Sequence, residues 1–313
     1  MRVVFMGTPD FAVPTLQMLI EEGHTICAVV TQPDKPKGRG KKEMMPPVKE
    51  LALRYDLPVL QPQRIRGDKD FETHIQSLNP DIIVVVAFGQ ILPESILHIP
   101  KYGCINIHGS LLPKYRGAAP IQWSIINGEK ITGVTIMYMD KGMDTGDMLL
   151  KREIPITPEE TYETLHDKMK EVGAQALLEA MPLILAGGPS REKQEEAAST
   201  YAPMIQKSLG AIDWSKPATT LDCLIRGLNP WPVCYTFYKG ETMKIWQAKV
   251  LEDTTLKAPG TILRVDKKGI QVQTGRGSLL IQEIQMPNKR RMPVSEYIKG
   301  NTISEGEILA TYE

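Results

Sequence analysis

From residue 1 to about 185, short runs of β-branched and apolar residues alternate with stretches whose apolar positions return every three or four residues. The first pattern predicts strands at Val3 to Met6, Thr25 to Val30, Pro58 to Leu60, Ile82 to Ala87, Cys104 to Ile107 and Gly133 to Met139. Ile82 to Ala87 has no polar alternation, which marks a strand covered on both faces and so a central one. Gly7-Thr-Pro-Asp10 turns the chain into a predicted helix over Phe11 to Glu22, with Thr8 or Asp10 as its cap. Thr157-Pro-Glu-Glu160 has the form of a capping box, after which Tyr162, Leu165, Met169, Val172, Ala176 and Ala180 trace the apolar stripe of a long helix. Strands alternating with helices predict an α/β fold built on a mostly parallel, Rossmann-like sheet. The glycine turn after the first strand lacks GxGxxG, so a dinucleotide is not expected there.

The stretch from Gly187 to Thr200 is polar, charged and poor in aliphatics, as an exposed connector would be. Beyond it, one short helix is predicted over Ala218 to Leu228, and β signals then dominate. Hairpins are expected to turn at Lys239-Gly240, between Asp266 and Gly269, and between Gly275 and Gly277. About five closely spaced strands suit a small β-barrel of the OB-like type. The expected division is a catalytic domain over 1–187, a linker over 188–208 and a C-terminal domain over 209–313.

The 313 residues carry 37 basic and 37 acidic side chains, a balance that argues against a generally basic nucleic-acid binder. The balance is uneven along the chain. Residues 1–204 hold 22 basic and 26 acidic residues, leaving 15 basic and 11 acidic for the remainder. Cys27, Cys104, Cys223 and Cys234 stand singly, which fits a reducing compartment and no disulfide framework. Apolar runs are much shorter than the ~20 residues a membrane helix needs, and no secretion signal is read at the start, so a cytoplasmic protein is expected.

The chemistry concentrates between Asn106 and Asp147. Asn106 and His108 alternate along a strand end, so both point to one side, at the sheet edge where α/β proteins place ligands. Read alone, Asn106 as a turn cap and His108 as a satisfied core histidine would account for the pair. The stretch from Met139 to Asp147 has three carboxylates and two glycines in a loop, but not the EF-hand spacing, so calcium is not expected. Cys104 and His108 lack the companions a structural zinc needs, and no metal is expected. Asp144 can approach His108 from that loop. Lys35, Lys37, Arg39, Lys41 and Lys42 form a basic loop free of acidic residues, which is either a solvated surface or a phosphate-contacting element. His166 lies beside the long helix's apolar stripe and is expected to be a surface or half-buried side chain.

Asn106-Ile-His-Gly-Ser-Leu-Leu-Pro113, continued by Tyr115-Arg-Gly-Ala-Ala-Pro120 and Asp144-Thr-Gly-Asp147, resembles the folate-dependent formyltransferases. Gly7-Thr-Pro-Asp-Phe-Ala12, Gln32 to Lys42, Ile212-Asp-Trp214 and Asn229-Pro-Trp-Pro232 extend the resemblance across the chain, toward the members that act on charged tRNA. The resemblance implies transfer of a formyl group from 10-formyltetrahydrofolate to the α-amine of methionine esterified to initiator tRNA. It makes Asn106, His108 and Asp144 the catalytic residues, with the proton acceptor left open. It places Phe88-Gly89-Gln90-Ile91-Leu92 and Ser110-Leu111-Leu112-Pro113 around the folate. The basic loop and the cluster Lys289-Arg290-Arg291 are expected to hold tRNA, and the protein is expected to work as a monomer without membrane or DNA partners. The alternatives are a formyltransferase for another amine, on glycinamide ribonucleotide or an amino sugar, and a tRNA-binding protein without catalysis.

Overall fold

The structure is a computed structural model that describes residues 1–37, 42–187, 191–252 and 256–311. The chain forms two compact units. The first gathers Met1–Pro120, Ile131–Pro155 and His166–Ala202, and the second gathers Ile121–Lys130, Ile156–Leu165 and Pro203–Glu313.

The first unit is built on seven strands: β1 (Arg2–Gly7), β2 (Thr25–Val30), β3 (Val59–Leu60), β4 (Ile82–Val86), β5 (Cys104–His108), β6 (Ile131–Tyr138) and β7 (Met148–Pro155). Their order is β7-β6-β5-β4-β1-β2-β3. The five strands from β3 to β5 run parallel, whereas β6 is antiparallel to both β5 and β7. Mostly parallel is therefore the right description. All five residues of β4 are buried, as its unbroken apolar run requires at the centre of a sheet covered on both faces. One face packs Val4, Met6, Ile83, Val85 and Cys104 against Phe71, Ile75, Ile96 and Leu97. On the helix Tyr162–Leu185, Gly173 allows close approach, because a Cβ there would lie 3.0 Å from Ile107 and 3.9 Å from Val134.

Two expected caps differ from the observed ones. A 3₁₀ turn, Asp10–Ala12, precedes the helix Val13–Glu21, and neither Thr8 nor Asp10 caps it. Thr8 instead donates to the Phe88 carbonyl at 3.2 Å and accepts from the Gln32 amide at 3.1 Å, tying together the ends of β1, β2 and β4. In the second unit, the long helix begins after Thr161 rather than Thr157. The main-chain N–H of Thr164 bonds the Thr161 hydroxyl at 3.3 Å while that of Thr161 bonds the Thr164 hydroxyl at 3.0 Å. This reciprocal pair satisfies two of the amides at the helix start, and Thr157 to Glu160 form a separate turn.

The second unit holds an antiparallel sheet of β8 (Cys234–Tyr238), β9 (Glu241–Leu251), β10 (Ile262–Asp266), β11 (Gly269–Gln273) and β12 (Ser278–Gln285), in the order β8-β9-β12-β11-β10, with the short strand Met292–Pro293 added on β12. The β8–β9 hairpin turns at Lys239 and Gly240, both at positive φ (51° and 79°), which matches the right-handed twist of the strands. Residues 307–310 bond to both sides of this sheet: Ala310 exchanges hydrogen bonds with Phe237, and Ile262 donates to Glu307 at 2.8 Å. Within the same unit, Trp123 donates to the Pro203 carbonyl at 2.8 Å and Arg226 to that of Glu160 at 3.0 Å.

Among the described residues no helix is long and apolar enough to cross a membrane. Replacing Ile83, fully buried in the central strand, by Ala is expected to lower stability by about 2–5 kcal/mol, since the cavity adds to the lost transfer energy. A denaturant titration that finds less than 1 kcal/mol would contradict that packing.

Candidate active site

β5 carries Asn106 and His108 to the carboxyl end of the sheet, beside the ends of β4 and β1. His108 is 5% exposed. Its Nε2 lies 2.9 Å from the Tyr115 carbonyl oxygen, which can only accept, so that nitrogen carries a hydrogen. Nδ1 faces Asp144 Oδ2 at 3.6 Å. The imidazole is thus both packed in the interior and aligned with the carboxylate, which joins the two readings that the residue allowed. The Asn106 side chain is half-buried and has no hydrogen-bond partner among the described residues.

Asp144 reaches this place through a loop with several fixed points. The neck is closed by the Tyr138 amide bonding the Asp147 carbonyl at 2.8 Å. Gly146 is required there, since a Cβ would run into the Tyr138 carbonyl oxygen. Asp140 accepts from the Gly142 amide at 2.9 Å and the Thr145 hydroxyl at 2.6 Å, an Asx turn that explains one of the loop's carboxylates without any metal. Asp144 itself sits at φ 54°, a left-handed conformation that Asp tolerates better than most residues. Its Oδ2 accepts the Gly117 amide at 2.8 Å.

Two residues here were given no role from the sequence, although Arg116 lies inside the motif that carries the family resemblance. Gln194, in the polar stretch expected to be a bare connector, donates to the carbonyls of Asp144 (2.7 Å) and Gly146 (2.8 Å) and accepts from Arg116 Nε at 3.0 Å. Arg116, with its side chain 9% exposed, also pairs with Glu196. The connector is exposed along most of 191–201, as its composition predicts, yet it is part of the first unit and hydrogen-bonded within it: Glu192 exchanges bonds with Met148, and Tyr201–Ala202 pairs in parallel with Arg116–Gly117. Residues 188–190 of the expected linker lie outside the described residues.

The residues expected around the donor divide by role. Phe88 and Leu92 are buried in the core, and the Gln90 carboxamide accepts from the Ile65 amide at 2.9 Å. Gly89 and Ile91 face outward, Ile91 with 67% of its surface exposed. Ser110 is fully buried and its hydroxyl donates to the Lys114 carbonyl at 2.6 Å, so this side chain is structural. Leu112 is buried with Met137 and Met148, while Leu111 and Pro113 are half-buried. Thr135 braces this turn, donating to Ser110 O at 2.7 Å and accepting from the Leu112 amide at 3.1 Å. Burial pushes the Cys104 thiol up to about 12, which removes it as a nucleophile near neutrality.

The basic segment is a two-stranded ribbon over its described part: Lys35 pairs with Met44 and Lys37 with Lys42. Arg39 and Lys41 lie outside the described residues. The ribbon's root is fixed. Asp34 binds Lys49 at 2.7 Å and Gln61 at 2.7 Å, and these two partners hold its carboxyl below the usual range. In the second unit, Lys289 bonds Asn301 and lies 4.9 Å from the Tyr297 ring centre. Arg291 pairs with Glu283 and stacks 4.6 Å from the Trp246 ring centre. Both are engaged within the unit, whereas Arg290 is exposed with no partner among the described residues. Asp10, His166 and Asp167 converge elsewhere, with the Lys170 ammonium 2.7 Å from Asp167. His166 is half-buried there, as expected, and packs on Phe11 with ring centres 5.3 Å apart.

An amide donor, an imidazole and a carboxylate at the rim of an α/β sheet form a site suited to acyl transfer onto an amine, and the chain belongs to the formyl transferase family. The family's model matches residues 1–181, and that of the formyl transferase C-terminal domain matches residues 204–302. Over 99% of its length the chain is 60% identical to methionyl-tRNA formyltransferase of Clostridioides difficile, covering all of that protein. It is 54% identical to the enzyme of the same name from Acetivibrio thermocellus, over 99% of each chain. Among solved structures, an N-formyltransferase from Helicobacter canadensis superposes with a TM-score of 0.68 at 18% identity, over 91% of this chain and 98% of that one. HypX from Aquifex aeolicus, in complex with tetrahydrofolic acid, gives 0.60 at 19% identity over 96% of this chain, which spans 47% of that longer protein. At these identities the structural likenesses speak for the fold alone.

Thr135→Val keeps the side chain's shape but leaves a buried amide and a carbonyl without their partner. It is expected to cost about 1–3 kcal/mol in a thermal or denaturant assay. An unchanged midpoint would show that the brace is dispensable.

Proposed function

We infer that the chain transfers the formyl group of 10-formyltetrahydrofolate to the free α-amino group of initiator methionyl-tRNA, giving N-formylmethionyl-tRNA. The observation that carries this reading is the 60% identity over 309 residues with a methionyl-tRNA formyltransferase. The division into a catalytic domain over 1–187, a linker over 188–208 and a tRNA-binding domain over 209–313 follows the same reading. An OB-like barrel for the last part is supported by residues 307–310, which bond to both sides of its sheet. The protein is proposed to act in the cytoplasm, as a monomer.

The donor supplies the formyl carbon that the amine attacks. The exposed Gly89 and Ile91 and the half-buried Leu111 are proposed to meet the flat heteroaromatic of the donor. In the proposed mechanism the Asn106 carboxamide donates to the formyl oxygen, where negative charge grows as the amine adds, and it does so without titrating. The attacking nitrogen becomes positive and must lose a proton. With Nε2 held by Tyr115, His108 turns Nδ1 toward the same space as Asp144 Oδ2. Asp144 Oδ2, or Nδ1 3.6 Å from it, receives that proton, and a proton passes to N10 of the donor as its bond to the formyl carbon breaks and tetrahydrofolate leaves. The amine is itself a competent nucleophile, so no covalent enzyme intermediate is required.

Asn106→Ala, His108→Ala and Asp144→Ala are each expected to lower kcat by about a hundredfold or more with little change in melting temperature. The check is formylation of charged initiator tRNA by labelled donor. A variant that turns over near the wild-type rate would remove its residue from the mechanism.

For tRNA, the proposed contacts are the basic segment Lys35, Lys37, Arg39, Lys41 and Lys42 and the exposed Arg290, with Lys289 and Arg291 beside it. Arg290→Ala is expected to weaken binding and reduce the salt slope by about one counterion. Arg291→Ala is expected to lower stability, because it uncovers Trp246, and to change the slope less. Equal slopes for Arg290→Ala and wild type in a salt titration would exclude that phosphate contact.

A further inference from the structure

We propose that Gln194 is a positioning residue for Asp144, so that the connector completes the catalytic site. The inference rests on the reading of Asp144 given above. The Gln194 carboxamide uses both of its functions in one place: its nitrogen donates to the carbonyls of Asp144 and Gly146, and its oxygen accepts from Arg116. Only an amide satisfies this set, since two partners can only accept and the third can only donate. The carbonyl it holds belongs to the residue at φ 54° whose carboxylate faces His108. On the other side, Arg116 lies between Tyr115, whose carbonyl fixes His108 Nε2, and Gly117, whose amide fixes Asp144 Oδ2. Gln194 therefore joins the two segments that set the spacing between imidazole and carboxylate.

The connector is anchored on both sides of this contact. Glu192 and Met148 exchange hydrogen bonds at 2.8 and 3.0 Å, and Thr200 O accepts the Arg116 amide at 2.9 Å. Gln194 is therefore delivered as part of a bound strap rather than by a free chain. The last third of the chain continues from that strap in sequence.

Gln194→Glu keeps the length of the side chain and the acceptor for Arg116, but sets a carboxylate against two carbonyl oxygens. Gln194→Ala removes the group altogether. Each is expected to lower kcat on the order of tenfold to a hundredfold, as a displacement of about 1 Å at a reacting group does. KM for donor and for charged tRNA should move by no more than about twofold, since the contacts that bind either substrate are left in place. In an Asp144→Asn background, adding Gln194→Glu should cost nothing further, because its effect passes through the carboxylate already removed. The side-chain ¹⁵N signals of His108, in full-length protein without substrates, should shift in Gln194→Glu. A kcat per folded molecule equal to wild type, full additivity in the double variant, or an unmoved His108 signal would each overturn the proposal. If Asp144→Asn alone retains turnover, the mechanistic reading of Asp144 fails, while the His108 signal still reports separately on whether Gln194 sets the geometry.

Discussion

Asp144 can face His108 only while a left-handed main-chain conformation is held open at the tip of a loop, and that conformation is uncommon for any residue with a side chain. Four groups fix it: the Gly117 amide on the carboxylate, the Gln194 carboxamide on two carbonyls, the Asx turn at Asp140, and the closed neck at Tyr138 and Asp147. The loop's strain is thereby balanced by hydrogen bonds within the loop and from Gly117 and Gln194, distant in sequence, and these hold the carboxylate opposite the imidazole. Such preorganisation matters because a site that must rearrange at the moment of reaction gives up part of its stabilisation of developing charge.

The same economy governs which polar groups are committed and which are left open. Ser110, Thr135, Gln90 and Thr8 spend their hydrogen bonds on main-chain groups at strand ends, as buried polar side chains must. Asn106 does not. A half-buried carboxamide without a hydrogen-bond partner among the described residues is a group with donors left to offer. The second unit shows the same contrast among charges, with Lys289 and Arg291 held on aromatic rings while Arg290 stands clear.

The alternation of apolar runs with helical periods was enough to read the α/β sheet, its central strand β4 and the three hairpin turns of the C-terminal part, because burial on both faces and twist-matched turns leave local marks in composition. Asn106 and His108 were legible as a pair on one side of a strand, and Asp144 as a carboxylate in a glycine-rich loop. The cap at Thr161 was not, since Thr157 to Glu160 offers the same local chemistry and only the fold selects between them. The assignment of residues 121–130 and 156–165 to the C-terminal unit has no local signature either, for it rests on contacts such as Trp123 with Pro203 and Arg226 with Glu160.

What the chain alone determined is which chemistry is available: an amide, an imidazole and a carboxylate near one sheet edge, and a basic segment in the stretch that follows β2. What only the tertiary structure decided is how these groups are held. The tautomer of His108 depends on a carbonyl seven residues away, the conformation of Asp144 on Gln194, fifty residues further along, and the availability of each cation on the ring or carboxylate it meets. Local sequence records the periodicities that bury a strand or turn a hairpin. Hydrogen bonds between segments that approach only after folding leave no such period, and it is those bonds that turn a set of polar residues into a site.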